Sequence, residues 1–294
     1  MERSPVKSLI ALFIIIAIGL SVGWAGSDFG VMYQGYPVFF LCAMLAFAIN
    51  WVVFVPSNMA KSEKFYDLTG SVTYLSIIVL ALMLSPELDL RSKLAAAMVA
   101  VWAIRLGTFL FIRISQDGHD DRFDEIKINP LRFFTAWTIQ GLWALLTAAC
   151  ALVIITNANK MEIGGLGKVG ICVWFIGFVL EVVADRQKRN FRKDPENKGR
   201  FINVGLWSWS RHPNYFGEIV VWVGMAILAF PVLQGWQYVC LISPVFVTIL
   251  LTKVSGIPLL QQKGQLKWGN EPEYQAYIAS TSLLIPMPPK KANG

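Results

Sequence analysis

Long apolar runs separated by short polar segments dominate the hydrophobic pattern of this chain. Each run is about 17–22 residues long, and an α-helix rises about 1.5 Å per residue, so each run can cross a hydrocarbon core of about 30 Å. Eight runs meet this condition: 9–26, 36–55, 66–85, 92–113, 134–156, 168–184, 213–232 and 236–254. The pattern predicts an all-α polytopic membrane protein with seven or eight transmembrane helices.

Composition and charge agree with a membrane protein. The chain is 55% hydrophobic and 15% charged, whereas soluble domains are about 25% charged. Most of the 26 lysines and arginines fall in the loops of one side if both termini lie in the cytoplasm, as the positive-inside rule requires. The net charge of +7 therefore indicates topology, and no basic module for nucleic acid is present.

The first apolar run allows two interpretations. A basic start followed by an apolar stretch and a Gly-Trp-Ala-Gly segment resembles a secretory signal peptide. The run is long for a signal peptide, however, and its cleavage region is poor, so we favour a retained helix.

The longest polar interruption runs from Asp185 to Glu218. Asp185, Arg189 and Arg192 have the spacing i, i+4, i+7 and share one face of a helix. Asn214 and Glu218 are four residues apart, where the chain becomes apolar again. The segment between them is rich in groups that suit a phosphorylated anion: Lys193, Lys198, Arg200, Arg211 and His212. This stretch is predicted to be a cytoplasmic cofactor-binding loop region.

Asp67 is the second candidate for chemistry. It begins the third run, directly after Phe65 and Tyr66. A carboxylate at the start of a helix ordinarily stabilises that end of the helix, by capping it and by interacting with the helix dipole. A carboxylate that faces a cavity in a membrane protein can instead donate a proton. The sequence leaves both interpretations open.

The residue inventory excludes several classes of enzyme. With only two histidines, His119 and His212, the chain cannot supply the ligands of a membrane di-iron enzyme, and no zinc set or Walker loop is present. Residues 165–170 match G-x-G-x-x-G, but no strand precedes them, so we interpret them as small residues leading into a helix. The four cysteines are interpreted as small core residues, and no metal site is predicted.

Two segments carry a family resemblance. GLWSWSRHPNYFGE at 205–218, followed by two spans and EYQAYIASTSLLIPMPP at 273–289, resembles the C-terminal domain of steroid 5α-reductases and their bacterial relatives. The resemblance covers about the last 130 residues well, and the first helix is an addition to the family's usual seven. It implies an integral membrane reductase that uses NADPH to reduce a carbon–carbon double bond conjugated to a ketone.

The resemblance also implies roles for individual residues. Asp185, Arg189 and Arg192 correspond to the family's cofactor-binding acid and arginines, and Asn214 and Glu218 match its Asn-x-x-x-Glu pair. With the basic groups of the loop and the neighbouring tyrosine, the predicted cofactor-binding residues are Asp185, Arg189, Arg192, Arg200, Arg211, His212, Asn214, Tyr215 and Glu218. Asp67 falls where the family has an acid or glutamine beside the substrate carbonyl, and Tyr66 is counted with it as catalytic. The family's partner tyrosine falls near Trp102, whose indole donates a hydrogen bond but no proton, so Tyr66 and Tyr74 are alternatives.

A second family shares part of this signature. Isoprenylcysteine and phospholipid methyltransferases carry a similar Arg-His-Pro-x-Tyr-x-Gly-Glu run and use S-adenosylmethionine. That sulfonium has no phosphates, so the arginines favour the reductase; a lipid-binding or assembly protein is the third alternative.

The resulting expectation is one integral membrane domain over 1–294. It would comprise additional N-terminal helices (1–60), substrate-side helices (61–160) and an NADPH-binding region (161–294). We expect a monomer in a bacterial inner membrane with both termini cytoplasmic. Its partners would be membrane lipids and a steroid or lipid enone, and no nucleic acid.

Overall fold

The computed structural model describes residues 5–117, 120 and 123–289. Over these residues the chain is almost entirely helical, with one short hairpin, β1 (Met32–Tyr33) and β2 (Tyr36–Pro37). The helices are α1 (Pro5–Ala25), α2 (Val38–Ala60), α3 (Tyr66–Leu84), α4 (Leu90–Asp117), α5 (Pro130–Thr156), α6 (Gly165–Lys193), α7 (Pro213–Ala229), α8 (Ile242–Ile249), α9 (Ile257–Trp268) and α10 (Pro272–Ser280).

Eight helical segments of the described residues are long and apolar enough to span a membrane, which confirms the predicted all-α polytopic class. The last of them differs in detail from the predicted run 236–254. It consists of a 3-10 turn at Gly235–Leu241, then α8, a π-helical turn at Leu250–Val254 and α9. The helical run ends before Gly256, and α9 then begins with a proline in its first turn, where the missing N–H of proline leaves no helical hydrogen bond unmade.

The chain forms two compact units. The first comprises residues 1–167 and 228–243. Helix α5 is its centre, since 89% of the apolar window of that helix is buried, and it packs against α1, α2, α3 and α4. Neighbouring helices therefore cover nearly every face of α5, as expected for a core helix that is apolar all round. Accordingly, Ala144, Ala148 and Ala149 lie inside, where small side chains let the surrounding helices approach.

Buried polar groups close one end of the first unit. The Arg91 guanidinium donates to the carbonyls of Leu228 at 2.6 Å and Glu162 at 2.8 Å. Lys160 donates to the carbonyl of Ile155 at 2.8 Å, which satisfies a free carbonyl at the C-terminal end of α5. These contacts satisfy groups whose burial would otherwise cost free energy.

The second unit comprises residues 168–227 and 244–294. In it α6 and α7 touch through glycines: a Cβ atom on Gly217 would lie 2.6 Å from the amide nitrogen of Glu181, and one on Gly224 would lie 2.8 Å from the carbonyl oxygen of Gly170. Glycine permits this approach of two membrane helices. Gly170 belongs to the G-x-G-x-x-G run, which opens α6, and among the described residues α5, not a strand, is the element that precedes α6 in the chain.

The structure tests the expected burial of the cysteines but not the expected division of the chain into regions. Cys42, Cys150 and Cys240 are buried, as interpreted, but Cys172 is exposed on α6, so the expectation of four core cysteines was wrong there. Cys172 lies on a helix that is long and apolar enough to span a membrane, and most of that apolar window is not buried in the protein. An apolar run in the sequence therefore did not imply burial of each of its residues. The division of 1–294 into an N-terminal, a substrate-side and a cofactor-side region stays a prediction.

Candidate functional site

A polar face of α6 forms one wall of the candidate site in the second unit. Glu181 and Asp185 are buried at 2% and 8% exposure, whereas Arg189 and Arg192 are exposed. The stripe therefore runs from the protein interior to the surface along a single helix face, as its spacing predicts.

The start of α7 lies against this face. Pro213 occupies the first helical position, where its missing N–H costs nothing. Asn214 follows and donates through Nδ2 to the Asp185 carboxylate at 3.1 Å. Its Oδ1 is buried without a hydrogen-bond partner among the described residues. The ring of Tyr215 stacks on His212 with centroids 5.6 Å apart, and Glu218 is half-buried one turn along.

The loop between the two helices folds back along α6. Gly205 has a φ of +61°, a conformation that favours glycine, and the next amide, of Leu206, donates to the Gln187 side chain at 2.9 Å. The Trp207 indole donates to the carbonyl of Ala184 at 3.0 Å. The Lys188 ammonium lies 4.5 Å from the centroid of the Trp207 ring, a cation–π distance.

The C-terminal segment holds this loop from the other side. The Ser210 hydroxyl donates to the carbonyl of Leu284 at 2.7 Å, and the Arg211 amide donates to the carbonyl of Ser282 at 2.8 Å. The Tyr277 hydroxyl donates to the carbonyl of Trp207 at 2.7 Å. The two sequence segments that carry the family resemblance are thus bonded to each other.

Together these elements enclose a cavity of about 320 Å³, which we call the cationic pocket. Its cations are Lys188, Arg192, Arg200, Arg211, Lys263 and Lys267. No aspartate or glutamate occurs among the described residues that line it. Its aromatic wall is centred on Phe201, whose ring lies 5.1 Å from Tyr274 and 5.3 Å from Tyr277 between centroids. A pocket lined by several cations and by no carboxylate among these residues suits an anionic ligand.

Two polar atoms point to the same conclusion. The Nε of Arg211 and the Nδ1 of His212 are buried, with no hydrogen-bond partner among the described residues. Burial, together with the charges of Lys188 and Arg211, lowers the pKa of His212 to about 3. The imidazole is therefore neutral near pH 7, and its unpartnered nitrogen can form one hydrogen bond to a ligand.

The structure divides the predicted cofactor residues into two groups. Arg192, Arg200, Arg211 and His212 line the cationic pocket. The second group does not line that pocket, and it consists of Asp185, Arg189, Asn214, Tyr215 and Glu218. Within this group, Asn214 donates a hydrogen bond to Asp185.

Sequence reasoning missed part of the pocket. Lys188, Lys263, Lys267 and Trp268 line it, although none of them is among the predicted cofactor residues. Helix α9 begins after the break at Gly256, and the Trp268 indole near its end donates to the carbonyl of Gly199 at 2.5 Å. The i, i+4 lysine pair with an adjacent tryptophan was the available signal.

The predicted catalytic residues lie in the first unit. Tyr66 begins α3, and its hydroxyl donates to the carbonyl of Ala136 at 2.9 Å. Asp67 occupies the next position and lines a cavity of about 10 Å³, which also has Glu63 and Asp120 in its wall. That volume is about enough for one water molecule.

Trp102 is buried on α4 at 1% exposure. Its ring meets Tyr74 edge-on, with centroids 5.2 Å apart. The structure thus brings Tyr66 and Asp67 together in one turn, and it pairs Trp102 with Tyr74, the tyrosine held as an alternative.

Comparison with known proteins identifies the family. A profile described as "Protein of unknown function (DUF1295)" matches residues 53–281, most of the chain. The chain belongs to the DUF1295 family. This DUF1295 region contains the cationic pocket and the Asp67 segment but not α1. No solved structure matches the chain.

Several curated relatives resemble part of this DUF1295 protein. The rat protein named 3-oxo-5-alpha-steroid 4-dehydrogenase 1 is 31% identical over 117 residues, which is 40% of each chain. Its bovine counterpart is 35% identical over 69 residues, 24% of this chain and 26% of its own. A probable O-methyltransferase, ustE, of Ustilaginoidea virens is 33% identical over 115 residues, 34% of this chain and 40% of its own. The matches thus span less than half of these relatives.

Proposed function

We propose that the protein is an integral membrane oxidoreductase that uses NADPH to reduce the carbon–carbon double bond of a hydrophobic enone. The Δ4 bond of a 3-oxo-Δ4-steroid is the proposed target, with a related lipid ketone as the wider class. The cationic pocket carries this proposal, since it combines six cations with an aromatic wall and no lining carboxylate. The similarity to 3-oxo-5-alpha-steroid 4-dehydrogenases supports it.

The residues present fit NADPH. A pyrophosphate and a 2′-phosphate need charge-assisted donors, which Arg192, Arg200 and Arg211 offer as bidentate guanidinium groups. The buried, unpartnered atoms of Arg211, His212 and Asn214 offer further hydrogen bonds. A volume of about 320 Å³ lies at the lower end of the range for cofactor sites, so the pocket suits the phosphate-bearing part of a dinucleotide. NADPH, when bound, supplies a hydride.

Asp67 is the proposed acid for the ketone oxygen. Its carboxyl group would hydrogen-bond to that oxygen and stabilise the negative charge that develops there. Tyr66 lies in the same helical turn, but its hydroxyl already donates a hydrogen bond to a backbone carbonyl. It is therefore the second choice for the acid, together with Tyr74. Trp102 would act only as a hydrogen-bond donor, as indole allows no more.

The setting of the reaction is also proposed. We place the protein in a bacterial inner membrane as a monomer. Both termini are proposed to lie in the cytoplasm, because the loop cations then follow the positive-inside rule. The substrate would come from the lipid phase, since a steroid-like enone partitions there.

Methyl transfer from S-adenosylmethionine is the second candidate, and the similarity to the probable O-methyltransferase favours it. A methyl donor with a sulfonium and a single carboxylate makes little use of six lining cations, so the pocket favours the nucleotide with phosphates.

Thermal unfolding of the detergent-solubilised protein separates the candidates. NADPH should raise the unfolding temperature most, NADH less because it lacks the 2′-phosphate, and S-adenosylmethionine least. Stabilisation by S-adenosylmethionine alone would contradict the reductase and support the methyltransferase.

A further inference from the structure

A second cavity with cations lies in the first unit, at the end where α1 and α5 both begin. Its volume is about 280 Å³, and its wall is formed by Lys7, Ser8, Ala11, Ile126, Arg132, Thr135, Ala136 and Ile139. None of these residues lines the cationic pocket or the cavity beside Asp67. We call this the α1–α5 cavity.

The lining of the α1–α5 cavity changes from cationic to apolar with depth. Lys7 and Arg132 lie in the first turn of α1 and α5. Ala11 follows Lys7 by four residues and Ile139 follows Arg132 by seven, so at 1.5 Å per residue they lie about 6 Å and about 10 Å further along the helices. The ends of membrane-spanning helices lie at headgroup depth, and positions one to two turns inward lie among acyl chains.

The surroundings of the cavity are those of a lipid-facing site. Its lining contains two cations and no carboxylate among the described residues. The outer face of α1 is apolar and exposed, with Ile10 at 54% and Phe13 at 74% exposure. Ile139 in the cavity wall is 40% exposed as well. A helix face of this kind in an apolar span contacts acyl chains.

We propose that the α1–α5 cavity binds an anionic phospholipid, with the phosphate between Lys7 and Arg132 and the first acyl carbons over Ala11 and Ile139. A free phosphate would use the same two cations but would leave the apolar part of the wall without a partner. The site does not depend on the proposed reaction. Helix α1 also lies outside the matched family region 53–281, so this site uses an element that the family match does not include.

Native mass spectrometry of the full-length protein in detergent tests the proposal. The probes are phosphatidylglycerol, which is anionic, phosphatidylcholine, which is zwitterionic, and inorganic phosphate. We expect one phosphatidylglycerol to bind at least about tenfold tighter than phosphatidylcholine. Inorganic phosphate at millimolar concentration should not displace it.

The decisive variant is Lys7→Gln/Arg132→Gln. It should weaken phosphatidylglycerol by about tenfold to thirtyfold, the usual effect of removing two cations near an anionic surface. The matched control is Lys61→Gln/Lys64→Gln, which removes the same charge from exposed lysines of the α2–α3 connection, and it should change affinity by less than about twofold.

A second variant tests the apolar part independently of charge. Ala11→Leu keeps both cations but fills the space proposed for the acyl carbons, and it should also weaken phosphatidylglycerol by several-fold. Equal binding by wild type and the double glutamine variant, or displacement of the lipid by inorganic phosphate, would overturn the proposal.

Discussion

The two candidate sites differ in charge and in size. Asp67 lines a cavity of about 10 Å³ whose wall also contains the acids Glu63 and Asp120. The cationic pocket of the second unit has about 320 Å³, six cations and no lining carboxylate. The cavity beside Asp67 has room for about one water molecule, whereas the cationic pocket is large enough for the phosphate-bearing part of a ligand.

This difference suggests that the two sites have separate roles, one towards the substrate and one towards the cofactor. If the acid serves the substrate and the cations serve the cofactor, then a change in one unit should alter one kinetic quantity and leave the other intact. The predictions below test that independence, beginning with the largest expected effect.

Replacing Asp67 with Asn tests the acid. Asn retains the shape and a hydrogen-bond donor but has no proton to give, so single-turnover reduction of a bound enone should slow by about 10²-fold or more. NADPH affinity should not change. Asp124→Asn is the control, since it removes an exposed carboxylate of the same unit and should leave the rate within about twofold. A normal rate for Asp67→Asn would move the acid to Tyr66 or Tyr74.

Replacing Arg192 with Ala tests the cations. Loss of a charge-assisted contact should weaken NADPH by about 1.5–3 kcal/mol, measured by isothermal titration in detergent. NADH should lose less if Arg192 meets the 2′-phosphate. Lys193→Ala is the matched control, because Lys193 is the adjacent cation on α6 and is not among the lining residues. Equal losses for the two variants would indicate a general field effect and no specific contact.

Replacing Gly217 with Ala tests the helix scaffold of the second unit. The new methyl group would lie 2.6 Å from the amide nitrogen of Glu181, so α6 and α7 must separate, at a cost of about 1–3 kcal/mol. Thermal unfolding should show a lower midpoint and weaker NADPH stabilisation. Gly164→Ala, whose Cβ meets no atom within 4 Å, should unfold like the wild type. An unchanged midpoint for Gly217→Ala would contradict the close helix contact.

The neutral state of His212 gives an effect that is close to zero at pH 7 and appears only at lower pH. Because its pKa is about 3 in the folded protein and about 6.5 when unfolded, the unfolded chain takes up a proton between these values. The resulting stability is complete above pH 6.5 and decreases as the pH falls, by about 2 kcal/mol at pH 5. His212→Gln should remove this part of the pH dependence when unfolding is measured from pH 7.5 to 5.0 without ligand. The same slope in wild type and variant would assign it to other groups.

Much of the helical fold could be predicted because membrane spans have a length that physics sets. The start of α7 at Pro213 and the polar face of α6 follow from local rules of helix starts and helix periodicity. The bond between Asn214 and Asp185 does not, because it depends on how two distant helices pack. Gly217 makes that packing possible, but a glycine in a sequence does not identify its neighbour.

The contribution of α9 to the pocket could not be predicted for a similar reason. A segment with Lys263, Lys267 and Trp268 has the same composition whether it lies on a membrane surface or against a loop. The π-helical turn at Leu250–Val254 and the break at Gly256 decide the direction of α9, and neither has a reliable sequence signature. The composition of α9 therefore does not reveal that its side chains line the cationic pocket.

The hydrogen bonds between the Arg-His-Pro loop and the C-terminal segment also set an order of assembly. Ser210 and Leu284 are 74 residues apart in the chain, and Trp207 and Tyr277 are 70 apart. Contacts of such long range form late in folding, because the entropy of closing the loop is lost before the bonds are gained. An anion that binds the pocket, at 100 times its dissociation constant, would stabilise the folded form that contains these hydrogen bonds by about 2.7 kcal/mol. The protease sensitivity of residues 281–289 should therefore report, without any assay of turnover, how much of the protein holds its ligand.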